Sequence, residues 1–268
     1  MKQHLIGMAV TAVLAACASE TAPVAEDQSA ELVGGTAEAR WQGVGYLVDT
    51  AGANTALCGA TLIAPNVVVT AGHCAWRNRT KKLAFGTGEL QAKKRTAVVE
   101  IAYDPGAHLE AQGSIDLVHT LLLNDLAYLV LATAVPGVEP IALQATKPVM
   151  ACNAHLVGYG QNNSNQLVRK GVDGCVLFNA KLGSDAIVEV RPTKGGAVCH
   201  RDGDEGHPAL LVGSDGKPQL LGVYVGSVTQ GLTDCKKFLQ LLNGYEASFG
   251  HAAFYNQGIA RGKQVLGQ

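Results

Sequence analysis

Charge is scarce in this sequence: 16% of its 268 residues are charged, where about 25% is usual. The two signs nearly cancel, with 21 basic against 22 acidic side chains, and the longest basic run is Lys93-Lys94-Arg95. That balance excludes the electrostatic footprint a nucleic-acid partner requires. Aromatics are also few, at 5%. Beyond the first residues no apolar run is long enough to cross a bilayer as a helix, and there is no internal repeat or low-complexity tract. From Ala197 to Gly213 there is no serine or threonine, and the single cysteine is Cys199. What the chain does have is glycine, 32 residues of it, in a composition that is 47% hydrophobic. Such a chain is compact and turn-rich, not disordered.

The N-terminus reads as an export signal. Lys2 precedes an apolar stretch from Leu5 to Ala16, followed by small residues, too short for a stable span. Within it Leu14-Ala15-Ala16-Cys17 has the form of a bacterial lipobox, which would make Cys17 the lipidated mature N-terminus; ordinary cleavage after Ala18 is the alternative. Residues 1–17 are assigned to the signal and 18–31, small and polar with one proline, to a tether. Without Cys17, six of the seven cysteines remain (58, 74, 152, 175, 199 and 235), an even set suited to an oxidising compartment.

The rest is strand-like. Short β-branched runs recur, among them Thr61–Ala64, Asn66–Ala71, Thr96–Tyr103, Ala154–Gly160, Asp185–Val190 and Leu220–Val228. Turn signals separate them at Pro105-Gly106, Asn162-Asn163 and Asp215-Gly216, which favours an all-β barrel or sandwich. Asn124–Val135 fits either a helix or a strand by periodicity. Cys235–Glu246, with Phe238, Leu239, Leu241 and Leu242 at helical spacing and Gly244 near its end, is expected to be a short C-terminal helix. Val135–Pro140 is the best candidate for a joint between two halves.

The strongest local signal is CGATLIAPNVVVTAGHC, Cys58 to Cys74. Two cysteines bracket a strand-turn-strand unit and His73 stands immediately before the second. LVGG (Leu32–Gly35), LNDLAYLVL (Leu123–Leu131), VEPIAL, LVGYG (Leu156–Gly160) and GDEGHP (Gly203–Pro208) are arranged in order around it. In this sequence of motifs the chain resembles the trypsin/chymotrypsin-like serine proteases (peptidase family S1) from residue 32 to about 235. The resemblance implies two six-stranded antiparallel barrels packed face to face, the first over about 32–135 and the second over about 141–268, with a site in the cleft between them. It implies His73 as general base and Asp125 as the carboxylate orienting it, Asp116 being the rival for that role. Gly203 would supply the oxyanion donor. The implied disulfides are Cys58–Cys74 and Cys199–Cys235, with Cys152 and Cys175 left to pair.

At the nucleophile position of that motif stands Glu205. Acyl transfer needs a hydroxyl or thiol that gives its proton to the imidazole and attacks a carbonyl. A carboxylate is already ionised and is a poor nucleophile toward an amide; it is expected instead to pair with His73 and favour the imidazolium. Shifting the register two residues to restore the spacing from Cys199 puts Gly203 there, which helps no more. In an analogous triad, loss of the nucleophile lowers kcat by about 10⁶. Other departures agree. His207 replaces a glycine beside the oxyanion loop, Tyr224 replaces the serine that contacts the triad aspartate, Val225 replaces an aromatic wall residue, and Ala197 would fill the base of the primary pocket. The activation pair would be Leu32 with Asp204, although Glu31 precedes Leu32 in place of Arg or Lys.

These readings predict a bacterial, secreted trypsin-like homologue that has lost hydrolysis and binds a protein or peptide as a monomer. It would be a cell-envelope lipoprotein of the periplasm or outer membrane, or else extracellular, touching the membrane only through its lipid. No cofactor is expected. The alternative is a working secreted serine endopeptidase. A lesser one is a metal site on His73, Glu205 and His207, with His200 and Asp202 nearby.

Overall fold

The computed structural model describes residues 35–51, 56–88, 94–107, 109, 124–159, 169–177, 187–193, 204–227 and 243–268. Its first half is a closed six-stranded barrel of β2 (Val44–Asp49), β3 (Ala56–Ala64), β4 (Val67–Ala71), β5 (Leu83–Gly86), β6 (Arg95–Tyr103) and β7 (Leu126–Leu131), paired in the order β2-β3-β4-β7-β6-β5. The second half contains β9 (Ala154–Gly158), β10 (Lys170–Leu177), β11 (Ile187–Pro192), β12 (Pro208–Val212), β13 (Pro218–Ser227) and β14 (Asn243–Ala247). Antiparallel pairings run β10-β11-β14-β13-β12-β9 and return to β10, so this sheet also closes on itself. Two short strands are appended, β1 (Thr36–Ala37) on β10 and β8 (Ala142–Leu143) on β13. The first residues described therefore lie on the second barrel, although they precede the first in sequence.

The apolar runs are continuous because many strands are buried on both faces. Along β7, Ala127, Leu129 and Leu131 enter the core of the first barrel, while Leu126, Tyr128 and Val130 enter a core shared by the two barrels. Alternation of side chains across the strand accounts for the split, and it settles the ambiguous stretch at Asn124–Val135 as a strand. The second barrel repeats the pattern. Leu156, Ala209, Leu211 and Leu221 fill its interior, while Val157, Leu210, Leu220 and Val223 meet the first barrel.

The helix described near the C-terminus is α2 (Ala252–Val265), and the one expected from Cys235 is tested only at its end. Residues 228–242 lie outside the described residues, and Asn243–Ala247, the end of that expected helix, is strand β14. Pairing on two sides, with β11 and β13, holds Asn243–Ala247 extended. The helix packs back onto the first barrel. Gly258 lies against the Tyr128 ring and Gly262 against Asn66 and Val67, with no room for a Cβ at either position. Asn66 Nδ2 donates to the Gly262 carbonyl at 3.0 Å.

The segment ahead of β2 is tied down by charge. Glu38 N–H donates to Arg169 O at 2.7 Å, and the Arg169 guanidinium donates to the carbonyls of Glu38, Trp41 and Val44. The buried Glu38 carboxylate receives hydrogen bonds from Arg40 and stands 2.9 Å from His155 Nε2. That last approach is a close charge contact and not an aligned hydrogen bond. Asp173 holds the other ring nitrogen of His155 at 2.7 Å.

Candidate active site

The pairing of β4 with β7 builds the first part of the site. Ala71 is opposite Leu126, and one step further along the register Gly72 faces Asp125, whose carbonyl accepts the Gly72 N–H at 2.8 Å. A Cβ on Gly72 would press on Asp125 Oδ1, Leu109 and the Leu126 nitrogen, so glycine is what allows the two strands to meet there. Asn124 turns the chain just before Asp125 with φ of 63°, a left-handed conformation that asparagine tolerates better than most residues. The chain then enters α1 (Gly72–Arg77), whose second residue is His73.

Asp125 holds His73 twice. Oδ1 accepts the His73 backbone N–H at 2.7 Å, and Oδ2 lies 2.6 Å from Nδ1. Both residues are buried, at 6% and 2% exposure. A carboxylate only accepts, so Nδ1 carries the proton and the lone pair of the neutral ring is on Nε2. Nε2 faces Cys74 Sγ at 3.6 Å, and that sulfur is bonded to Cys58. The disulfide rests on Ala71 and Val225 in a small buried cluster.

Glu205 lies in the turn between Asp204 and Gly206, partly exposed. Its backbone joins the first barrel: Glu205 O accepts the Gly59 N–H at 2.7 Å and lies 3.7 Å from Cys74 Sγ. Gly206 has φ of 85°, and a Cβ there would overlap Gly59 O and Thr70 Oγ1. Gly206 N–H donates to Tyr224 O and Tyr224 N–H to His207 O, each at 2.8 Å. The expected Glu205–His73 ion pair does not form. Among the described residues the ring's polar partners are Asp125 and the Cys74 sulfur, because Asp125 fixes the ring with Nε2 turned to the disulfide.

His207 points inward, not along the loop surface. Its ring is fully buried beside Tyr159, centroids 5.7 Å apart. Tyr159 N–H donates to Nε2 at 3.1 Å, so Nδ1 carries the proton and donates to Asp204 O at 3.0 Å. With both ring nitrogens engaged, His207 is not set to ligate a metal with His73 and Glu205. No group of three metal-ligating side chains converges among the described residues. Asp204 is fully buried, with Oδ1 at 3.6 Å from His207 Nδ1. Tyr224 is buried against Tyr245, ring centroids 5.5 Å apart.

Both expected disulfides within the described residues are formed, Cys58–Cys74 and Cys152–Cys175. Cys17, Leu32, Asp116, Ala197, Cys199, His200, Asp202, Gly203 and Cys235 lie outside the described residues. The Asp173–His155–Glu38–Arg40 cluster was not anticipated. Its members are scattered over three segments, and only the β9–β10 register, which puts Asp173 opposite His155, brings two of them together.

Two β-barrels with a buried His–Asp pair at their junction define the architecture of a serine-protease-like domain. The family comparison agrees: the trypsin family model matches residues 33–238, and the chain belongs to the trypsin family. Among solved structures it is similar to neuropsin, a serine protease expressed in the limbic system of mouse brain. That match has a TM-score of 0.62 and 16% identity over 81% of this chain and 94% of the other, a likeness of fold. No curated protein matches. A disulfide-bonded domain of this family is typical of secreted or extracellular proteins.

Proposed function

We propose that this protein is a catalytically silent trypsin homologue that binds a peptide or protein at the bacterial cell envelope. The observation that carries the reading is what His73 Nε2 faces: a sulfur already committed to a disulfide, 3.6 Å away. A base oriented by Asp125 has, among the described residues, no hydroxyl to deprotonate, and Glu205 stands where the family motif places one. Without that proton transfer acyl transfer has no first step. Residual acceleration from binding and oxyanion stabilisation would be about 10³–10⁴ over water, far short of a working protease. Ligand binding falls to the cleft and its borders. One groove of about 470 Å³, lined in part by Trp41, Glu139, Ile141, Lys217, Pro218 and Gln219, offers an apolar wall with charges of both signs. The ligand-binding form is a monomer without cofactor, attached to the envelope through lipid on Cys17.

The test is a fluorophosphonate probe, which labels an activated serine, applied to the N-terminally processed protein beside fluorescent denatured casein. The expected result is no label, no casein cleavage, and a rise in casein anisotropy on binding. Glu205→Ser should gain label if the rest of the constellation is intact. Labelling or casein cleavage by the unaltered protein would establish the working endopeptidase instead. Metabolic labelling with palmitate, lost in Cys17→Ser, tests the anchor.

A further inference from the structure

The contact between His73 and the disulfide has a chemistry of its own. Both half-cystines are buried, Cys74 completely and Cys58 with 7% of its surface left exposed, so Cys58 is the one with any opening to solvent. Attack on Cys58 Sγ makes Cys74 the leaving group, and Cys74 Sγ is the sulfur that His73 Nε2 faces at 3.6 Å. Disulfide exchange speeds up as the departing thiolate is stabilised, and a neighbouring imidazolium is such a stabiliser. Asp125 fixes the ring for this task from the other side, at 2.6 Å from Nδ1. Val225 backs the disulfide, and Glu205 O fixes the backbone after Cys58 through the Gly59 N–H.

We propose that Cys58, Cys74 and His73 form a thiol–disulfide exchange centre for low-molecular-weight thiols, with Asp125 as a positioning residue. The incoming thiol gives up its proton, which is taken up at His73 Nε2. Its sulfur bonds to Cys58 Sγ as the Cys58–Cys74 bond breaks, and the electron pair of that bond stays on Cys74 Sγ. The products are a mixed disulfide on Cys58 and a Cys74 thiolate paired with the His73 imidazolium. Return attack by Cys74 on Cys58 expels the thiol and restores the disulfide. The substrate is small because so little of Cys58 is open. The centre does not depend on whether hydrolysis has been lost, since no serine takes part.

Cys152–Cys175 is the internal control. It is the more exposed pair, and no imidazole contact to it is found among the described residues. The folded protein is treated with glutathione, quenched by acid and alkylation, and mapped by mass spectrometry. The adduct is expected on Cys58, with Cys74 alkylated. In His73→Ala the rate of adduct formation at Cys58 is expected to fall about tenfold or more, while reaction at Cys152–Cys175 is unchanged. Adduct on Cys74, no adduct at either, or an equal rate in His73→Ala would overturn the proposal. Should His73→Ala fail to fold, as a changed rate at Cys152–Cys175 would reveal, the position of the adduct in the unaltered protein decides alone. A fluorophosphonate-positive protein that also shows the Cys58 adduct would sink the silent-protease reading and leave this one standing.

Discussion

Gly59 carries no side chain because the His207 ring occupies the space where its Cβ would stand. The two residues are far apart in sequence and on different barrels, so each constrains the other across the junction. Gly59→Ala is expected to destabilise the fold by about 1–3 kcal/mol through overpacking, read from urea unfolding. Removing the ring in the double variant with His207→Gly should recover part of that loss, since residues in contact are not additive. Simple additivity would show that the two do not share the space. The sequence marked His207 as a departure from a glycine-rich motif and as a lesser candidate metal ligand. Its inward direction depends on the strand opposite, which no local pattern contains. The same holds for Glu205. Its type was enough to question the chemistry, but the direction of the His73 ring is set by Asp125, and that removed the expected ion pair.

At the scale of elements, the segment before β2 shows how charge can hold a strand that apolar packing does not. β1 is two residues long and exposed, and the cluster at Glu38 secures the chain between it and β2. Burial alone would raise the Glu38 carboxyl. Hydrogen bonds from the Arg40 side chain and backbone, helped by the charges of Arg40 and His155, outweigh it and hold Glu38 below its ordinary 4.5. A carboxyl depressed by folding contributes stability above its unfolded value and loses it as the pH falls through the folded one. Glu38→Gln is therefore expected to cost roughly 1–2 kcal/mol at neutral pH, and the gap between the two proteins should close as the pH drops below 4.5. Urea midpoints measured across that range test it; a pH-independent gap would mean the carboxylate charge is irrelevant. Legibility differed between elements for a related reason. The β4–α1 unit was readable because its cysteines, histidine and apolar run lie together in sequence. β14 was not, because its pairing with β11 and β13 is made with residues outside its own stretch of sequence.

For the whole molecule, the question is what keeps the two barrels in register, and tyrosine marks the seam. Tyr46 from the first barrel meets Tyr159 from the second with ring centroids 5.3 Å apart. The Tyr159 hydroxyl accepts from Gly88 N–H at 3.2 Å and donates to Val44 O at 3.4 Å, both on the first-barrel side. Burial pushes the Tyr46 phenol up to about 12 and raises Tyr159 as well. Burial, with Tyr224 and Asp204 near it, also raises the wholly buried Tyr245 well above its ordinary value. A phenol raised by folding costs nothing below its unfolded value near 10. Stability is then lost as the pH climbs from there toward the folded value, because the unfolded chain gives up protons the native one keeps. In an alkaline titration followed by tyrosinate absorbance, these three should stay silent while exposed phenols ionise, then appear together with loss of near-ultraviolet circular dichroism. Tyr46→Phe should remove its share of that late step and move the alkaline transition upward, less whatever its own hydroxyl contributes to packing. If the late phenols instead ionise near 10 with the fold intact, water reaches the seam, and the junction that aims His73 at the disulfide is not a closed contact.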